Sequence, residues 1–563
     1  MIDVLAADDR RGFGLAAALA IEGISARPIA RAADFDAELL IVARDDADAA
    51  TAALAARVPT IVVGGPPALV SALFDVRDVR MIDGPVSIAL EAPVWSASTR
   101  ETARSVAPAG LHLPTAPAAR PSSTPAGTVL AGAVERPWVV ARGNVVWSLV
   151  DVGTALADLL DERHARASAA HATPAWLRPA LALYYRAPEP LRRLVQRRTY
   201  ARLAATLDAT SSTYPVDATG WLLLELVTAL VRRAAGRVVR VGRWPAPFGA
   251  AAILSHDVEP TAFAYGAGLD QLLSHVAASG HPATFGLVAG PASRALGSAT
   301  TARLAGADLL CHGLEHQGET VAGNREEIAA GLVEARTQLE ACVGRPVRGF
   351  RSPRLDRSRE LLWALDQTGF EHDSSFPDVD RENVSRFGAG VRLSMPYRPP
   401  IEDAGRVRAS RCLELPVSAP DCVQPLFAGD DERALRAAVE RKIAFVRASG
   451  GLYTGIVHGG VFGPADAERR GEHLRFVRRA LDHPDLWLTT ASEVAGWWRR
   501  REGVRIRRRG AAIEVENVGT EPVSGLRVVV DGDAGSEAHA VPALAPGARA
   551  TVPADGVREA ACR

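Results

Sequence analysis

The sequence predicts an α/β protein in four parts: an open α/β sheet domain, a helical connector, a distorted (β/α) barrel and a small β module. Three observations predict it. Short apolar runs alternate with amphipathic helical stretches in two separate regions, one ending near residue 160 and the other spanning 243–500. In the second region each run closes on a polar residue, where a barrel of repeated β-α units carries its reactive groups. After Arg501 the texture changes to period-two segments separated by Gly, Asn and Pro turns.

Composition sets outer limits. At 563 residues the chain exceeds what one hydrophobic core serves. Lys+Arg 65 against Asp+Glu 65, without a long run of one sign, leaves no electrostatic footprint for nucleic acid or an anionic membrane. The first residues, Met1 to Asp9, are acidic where an export leader needs a basic and then an apolar segment. The apolar stretch Trp221 to Val231 is interrupted by Glu225 and is far shorter than the roughly 20 residues of a membrane span. Cys311, Cys342, Cys412, Cys422 and Cys562 are widely spaced and form no CxxC pair, which suits a reducing compartment. The expectation is a cytoplasmic chain without a transmembrane segment.

Residues 1–160 read as a flavodoxin- or amidotransferase-like accessory domain, because Ile2–Leu5, Leu39–Ala43 and Thr60–Val63 are apolar runs joined by Ala-rich helices. Gly64-Gly65 lacks the GxGxxG spacing of a dinucleotide turn, so no cofactor is expected there. Pro, Ala, Ser and Thr dominate from Val106 to Thr128 and predict a linker or surface loop. Trp138–Ala141 and Val145–Leu149 flank Arg142-Gly143-Asn144 and predict a hairpin. Residues 161–242 read as a helical connector with Tyr184, Tyr185 and Tyr200 as core aromatics, and 501–563 as a β-sandwich-like module.

The barrel region, 243–500, offers strands at Ala251–Leu254, Thr284–Val288, Asp308–Cys311, Val347–Phe350, Leu413–Val417, Gly455–Val457 and Leu486–Thr489. Between them, Asn324 caps a helix with Ile328, Leu332, Ala335 and Leu339 on one face, ended by Gly344. A second helix runs from Ser358 to Gly369. At the strand ends stand Asp257 and Glu259, His312 and His316, Arg351 and His458. Cys311, next to His312 on a strand, should face the barrel wall.

These residues fall in ordered motifs: Ser255-His256-Asp257-Val258-Glu259, His312-Gly313-Leu314-Glu315-His316, Gly349-Phe350-Arg351-Ser352-Pro353, Glu371-His372-Asp373-Ser374-Ser375 and Gly455-Ile456-Val457-His458. The set resembles the NodB-like polysaccharide deacetylases, also called family 4 carbohydrate esterases, over nearly all of Arg243 to Arg500. The resemblance implies a hydrolase that removes acetyl groups from an N- or O-acetylated carbohydrate with a divalent metal. Glu259, His312 and His316 would hold the metal; two imidazoles and a carboxylate suit zinc, with cobalt or nickel also accommodated. Asp257 would be the base, Arg351 would hold it ionised, and His458, oriented by Asp373, would be the acid. The commonest form of the first motif has adjacent aspartates, whereas here Val258 separates the two acids. Arg354 and Leu355 stand where the family pattern expects an aromatic, and Phe376-Pro377 where it expects Trp, which implies changed groove walls and a substrate other than chitin or peptidoglycan; the lack of an export leader favours an intracellular glycoconjugate intermediate. Two other readings stand beside it: a catalytically degenerate glycan-binding or scaffolding protein, and a barrel hydrolase acting on a non-sugar amide or ester.

Overall fold

The computed structural model describes residues 1–162, 214–380, 389–418, 432–460 and 463–554, less positions 8, 66, 77, 134, 135, 533 and 534, together with a few residues between 183 and 198. Tyr184, Tyr185, Tyr200, Cys422 and Cys562 lie outside the described residues.

The first sheet runs in the order Ala26–Ile29, Ile2–Ala6, Leu39–Ala43, Thr60–Val63, Val145–Ser148, Arg136–Arg142, Thr128–Ala133. Its first five strands are parallel and the last two antiparallel. Leu39–Ala43 is buried along its whole length, as a parallel strand covered on both faces must be. The expected hairpin turns at Gly143-Asn144. The Pro-rich stretch is not a loop: Leu111–Pro121 is a strand paired with Val79–Ile88. Burial of Leu111, Leu113, Ala116 and Ala118 drives this, and prolines are tolerated because a two-stranded ribbon leaves each strand an open edge.

Eight parallel strands form the barrel sheet, in the order Leu413–Glu414, His372–Asp373, Gly349–Phe350, Asp308–Cys311, Thr284–Leu287, Ala250–Val258, Leu452–Ile456, with Leu486–Thr489 also against Ala250–Val258. Between its two ends, Ser418 N–H donates to the Thr454 carbonyl at 2.9 Å, so the sheet curls toward closure. Helix Arg325–Val343 is built as its sequence dictates. Asn324 and Glu327 form a reciprocal capping box, Gly344 ends the helix at φ +71°, and the same four apolar residues are buried.

Helix Thr219–Ala235 is apolar nearly all round because it is covered nearly all round. It joins the core of the first sheet to Phe376, Leu393, Tyr397 and Phe445 of the barrel. The strand that follows it, Arg237–Val241, belongs to no connector. It pairs antiparallel with Arg527–Gly532 and so completes one of two three-stranded sheets at the C-terminal end. Arg501 donates to the carbonyls of Ala20, Ile21 and Gly242, and Glu22 accepts from Arg240 and Arg243. Breaking such a buried pair costs about 3–5 kcal/mol, so these contacts hold the first domain, barrel and C-terminal sheets in one arrangement. Among the described residues, no helix is long and apolar enough to cross a membrane.

Candidate active site

Asp257 sits near the end of strand Ala250–Val258, 4% exposed, opposite Gly286 of the neighbouring strand. A Cβ at position 286 would collide with Asp257 Oδ1, so glycine is required for the carboxylate to lie there. Arg351 follows strand Gly349–Phe350 and is fully buried. Its Nη1 donates to Asp257 Oδ1 at 3.0 Å and to Ser255 Oγ at 2.9 Å, while Nε and Nη2 donate to the carbonyl and Oγ of Ser374 at 3.0 Å. Burial opposes ionisation of Asp257, but Arg351, then His312 and His458, outweigh it and hold the carboxyl well below the usual range.

His312 follows strand Asp308–Cys311 and lies with its Nδ1 2.9 Å from the Arg351 carbonyl. The carbonyl can only accept, so Nδ1 is the donor and Nε2 is the nitrogen turned toward the site. That Nε2 stands 3.9 Å from Asp257 Oδ2. His316 is not one helical turn further on. Residues 312–316 form a loop in which Gly313 has φ +77° and His316 φ +61°, a conformation rare for a side chain of this size. The loop is held by Glu319. Its Oε1 accepts from the backbone N–H groups of Leu314, Glu315 and His316 at 3.0 Å each, and its Oε2 from Gln317 at 2.6 Å. Burial, then His312 and Arg354, keep His316 well below the usual imidazole value, so it is neutral at pH 7.

Glu259 lies one residue past its strand and bridges two histidines, with Oε2 3.8 Å from His316 Nε2 and Oε1 3.6 Å from His458 Nε2. His458 closes the ring from the end of strand Leu452–Ile456. Asp257, Glu259, His312, His316, Arg351 and His458 are thus brought together. Asp373 takes a different place from the expected one beside His458. Its Oδ1 accepts from Ser374 N–H at 2.8 Å and Ser375 Oγ at 2.5 Å, and its register partner on the next strand is Glu414. Both acids are buried, and among the described residues Asp373 Oδ2 and Glu414 Oε2 have no hydrogen-bond partner. Two adjacent buried carboxyls are best served by one shared proton. Burial pushes Asp373 up to about 6, and burial with Asp373 raises Glu414 further above its ordinary value.

Glu319 and Glu414 escaped sequence reasoning. Glu414 carried a signal, a lone acid inside the apolar run Leu413 to Val417; Glu319 carried only its position three residues past His316. Cys311 does face the core, where burial pushes its thiol up to about 12.

The donor set fits a divalent cation in its chemistry: two imidazoles, one with its distal nitrogen committed to a carbonyl, and a carboxylate. Metal–ligand bonds of about 2.1 Å put tetrahedral donors about 3.4 Å apart. The separation between Glu259 and His316, 3.8 Å, is near this, but among the described residues no group of three His, Cys, Asp or Glu side chains is placed so that it could hold an ion.

Residues 252–372 match the polysaccharide deacetylase family. Among solved structures, a protein of Mycobacterium smegmatis assigned as a polysaccharide deacetylase is 20% identical, covering 45% of this chain and 91% of its own, with a TM-score of 0.36. A family 4 carbohydrate esterase from Streptomyces lividans, solved with acetate, is 14% identical over 42% of this chain and 91% of its own, at a TM-score of 0.27. Agd3, described as a novel carbohydrate deacetylase, is 10% identical and covers 98% of both chains, at a TM-score of 0.37. No curated protein matches the sequence. From the family match and the ordered motifs, the barrel is a NodB-like polysaccharide deacetylase domain, carried with further modules on either side.

Proposed function

We propose that the chain is a divalent-metal-dependent hydrolase that releases acetate from an N- or O-acetylated carbohydrate. The observation that carries this is the buried Asp257 carboxylate, tied to Arg351 on one oxygen and facing His312 Nε2 with the other. Glu259, His312 and His316 would hold the ion, most suitably zinc. The ion would supply Lewis acidity toward the acetyl carbonyl and the attacking water.

The protein residues supply the rest. Asp257 removes a proton from water as its oxygen attacks the acetyl carbon, and Arg351 keeps that carboxylate ionised and aimed. His458 delivers a proton to the departing nitrogen or oxygen as its bond to the acetyl carbon breaks, leaving acetate and the free amine or hydroxyl. Each proton-transfer role contributes about 10²–10⁴-fold in such reactions. Asp373 supports this machinery through Ser374 and Ser375, which touch Arg351 and the backbone of Ser352.

The unpaired Cys311, Cys342 and Cys412 are compatible with a cytoplasmic glycoconjugate intermediate as substrate. The test is acetate release from a panel of N- and O-acetylated mono- and oligosaccharides. Release that disappears in Asp257→Asn supports the deacetylase. Bound metal without release from any member would turn the reading to a glycan-binding protein, and release from simple acetyl esters alone to a non-sugar hydrolase.

A further inference from the structure

A second cavity, of about 1000 Å³, lies where helix Thr219–Ala235, the start of the barrel and the C-terminal sheet meet residues 93–99 of the first domain. Its wall includes Gly249, one residue before the strand that carries Asp257 eight positions later. At roughly 3.3 Å per residue the two sites are about 25 Å apart, on opposite ends of the barrel.

The walls are basic from several directions. Arg232 and Arg233 come from the last turn of the helix, Arg447 from the barrel and Arg527 from the C-terminal sheet. A helix C-terminus favours cations and accounts for the first pair, but not for arginines converging on it from two other modules. Among the described residues Arg232 and Arg233 have no ion-pair partner. Arg527 spends Nη1 and Nη2 on the carbonyls of Pro247 and Phe248, and burial lowers its pKa. Asp485 pairs with Arg447 at 3.0 Å, but the acids on the wall do not balance Arg232 and Arg233. Glu225 is pushed toward its neutral form by burial and by Glu22, and Asp531 is taken by Arg240. Ser98, Thr102, Thr228 and Ser536 line the same space, and among the described residues the buried Thr228 Oγ1 and Arg527 Nε have no hydrogen-bond partner. A concave, basic wall with open hydroxyls concentrates anions and can bond a polyol.

We infer that this junction cavity binds a saccharide bearing a phosphate or carboxylate, at a site separate from the deacetylase centre. Binding here does not depend on turnover, so the inference stands or falls apart from the proposed reaction. The experiment is calorimetry on the full chain with glucose 1-phosphate, trigalacturonate and, as a neutral control, maltotriose. One or both anionic probes should bind with a Kd of about 1 mM or tighter, and more weakly as salt is raised. Arg233→Glu, at an exposed position, and Arg527→Gln should each weaken binding about tenfold or more, while Asp257→Asn leaves it unchanged. Binding of glucose 1-phosphate alone assigns a sugar-phosphate site; binding of trigalacturonate alone assigns an acidic-glycan site. Equal binding of all three probes, binding of none, or an affinity that ignores both arginine variants would overturn the inference.

Discussion

The chain carries a mostly parallel sheet and a fully parallel one whose strands end in charged residues, and those charges are used in opposite ways. At the edge of the first sheet, Arg11 bonds Asp45 and Asp151 at 2.7 Å each, and Asp9 and Asp151 cap helices. In the barrel, His312, His316, Glu259 and His458 approach acids or one another at 3.6–3.9 Å, beyond hydrogen-bond reach. The first set of charges is paired along a sheet edge, whereas in the second, acids and imidazoles face one another across a site. Under the proposed reading, the second arrangement would offer donors to a cation and a carboxylate to water.

Asp257→Asn should break the barrel side of this comparison most severely. It keeps the shape, removes the base and should lower kcat by about 10³-fold in an acetate-release assay. Arg11→Ala is its counterpart. It leaves Asp151, 1% exposed, without its ion pair and should cost about 3 kcal/mol in denaturant unfolding. The same variant should leave kcat/KM within twofold of wild type, since nothing at that edge touches the barrel site.

How much of this was legible in the sequence depended on how local the cause was. The Asn324–Gly344 helix is written in its own residues by a capping box, a 3.6-residue period and a terminal glycine. The Arg237–Val241 strand is not, because its pairing partner begins at Arg527 and only the folded chain supplies the second strand. Leu111–Pro121 was obscured by proline content, although its alternating apolar residues were in plain view. The motif order named six residues that the fold brings near one another. It said nothing of the carboxylates beneath them, because a carboxylate that accepts four loop N–H groups, as Glu319 does, leaves no periodic trace.

Glu319→Ala should sharpen the comparison from within the barrel. With four N–H groups released, the strained φ of His316 loses its support, and metal affinity should fall about 10–100-fold. Glu319→Gln should recover part of that affinity, which calorimetric metal titration would show. The smallest effect concerns the buried acid pair. A carboxyl raised from 3.8 to about 6 costs stability as pH climbs through that window, because the unfolded chain releases its proton first. Glu414→Gln keeps a donor toward Asp373 and removes one ionisable group. Its Tm should match wild type at pH 4 and exceed it by about 2 °C at pH 8, read by thermal unfolding at the two pH values.

The most direct measurement is the metal content of purified wild type and His312→Ala after exposure to zinc, with acetate release assayed on the same samples. The account predicts one ion per chain in the wild type, lost together with acetate release in the variant. A wild type that takes up no zinc, cobalt or nickel, or a variant that keeps both metal and activity, would contradict it.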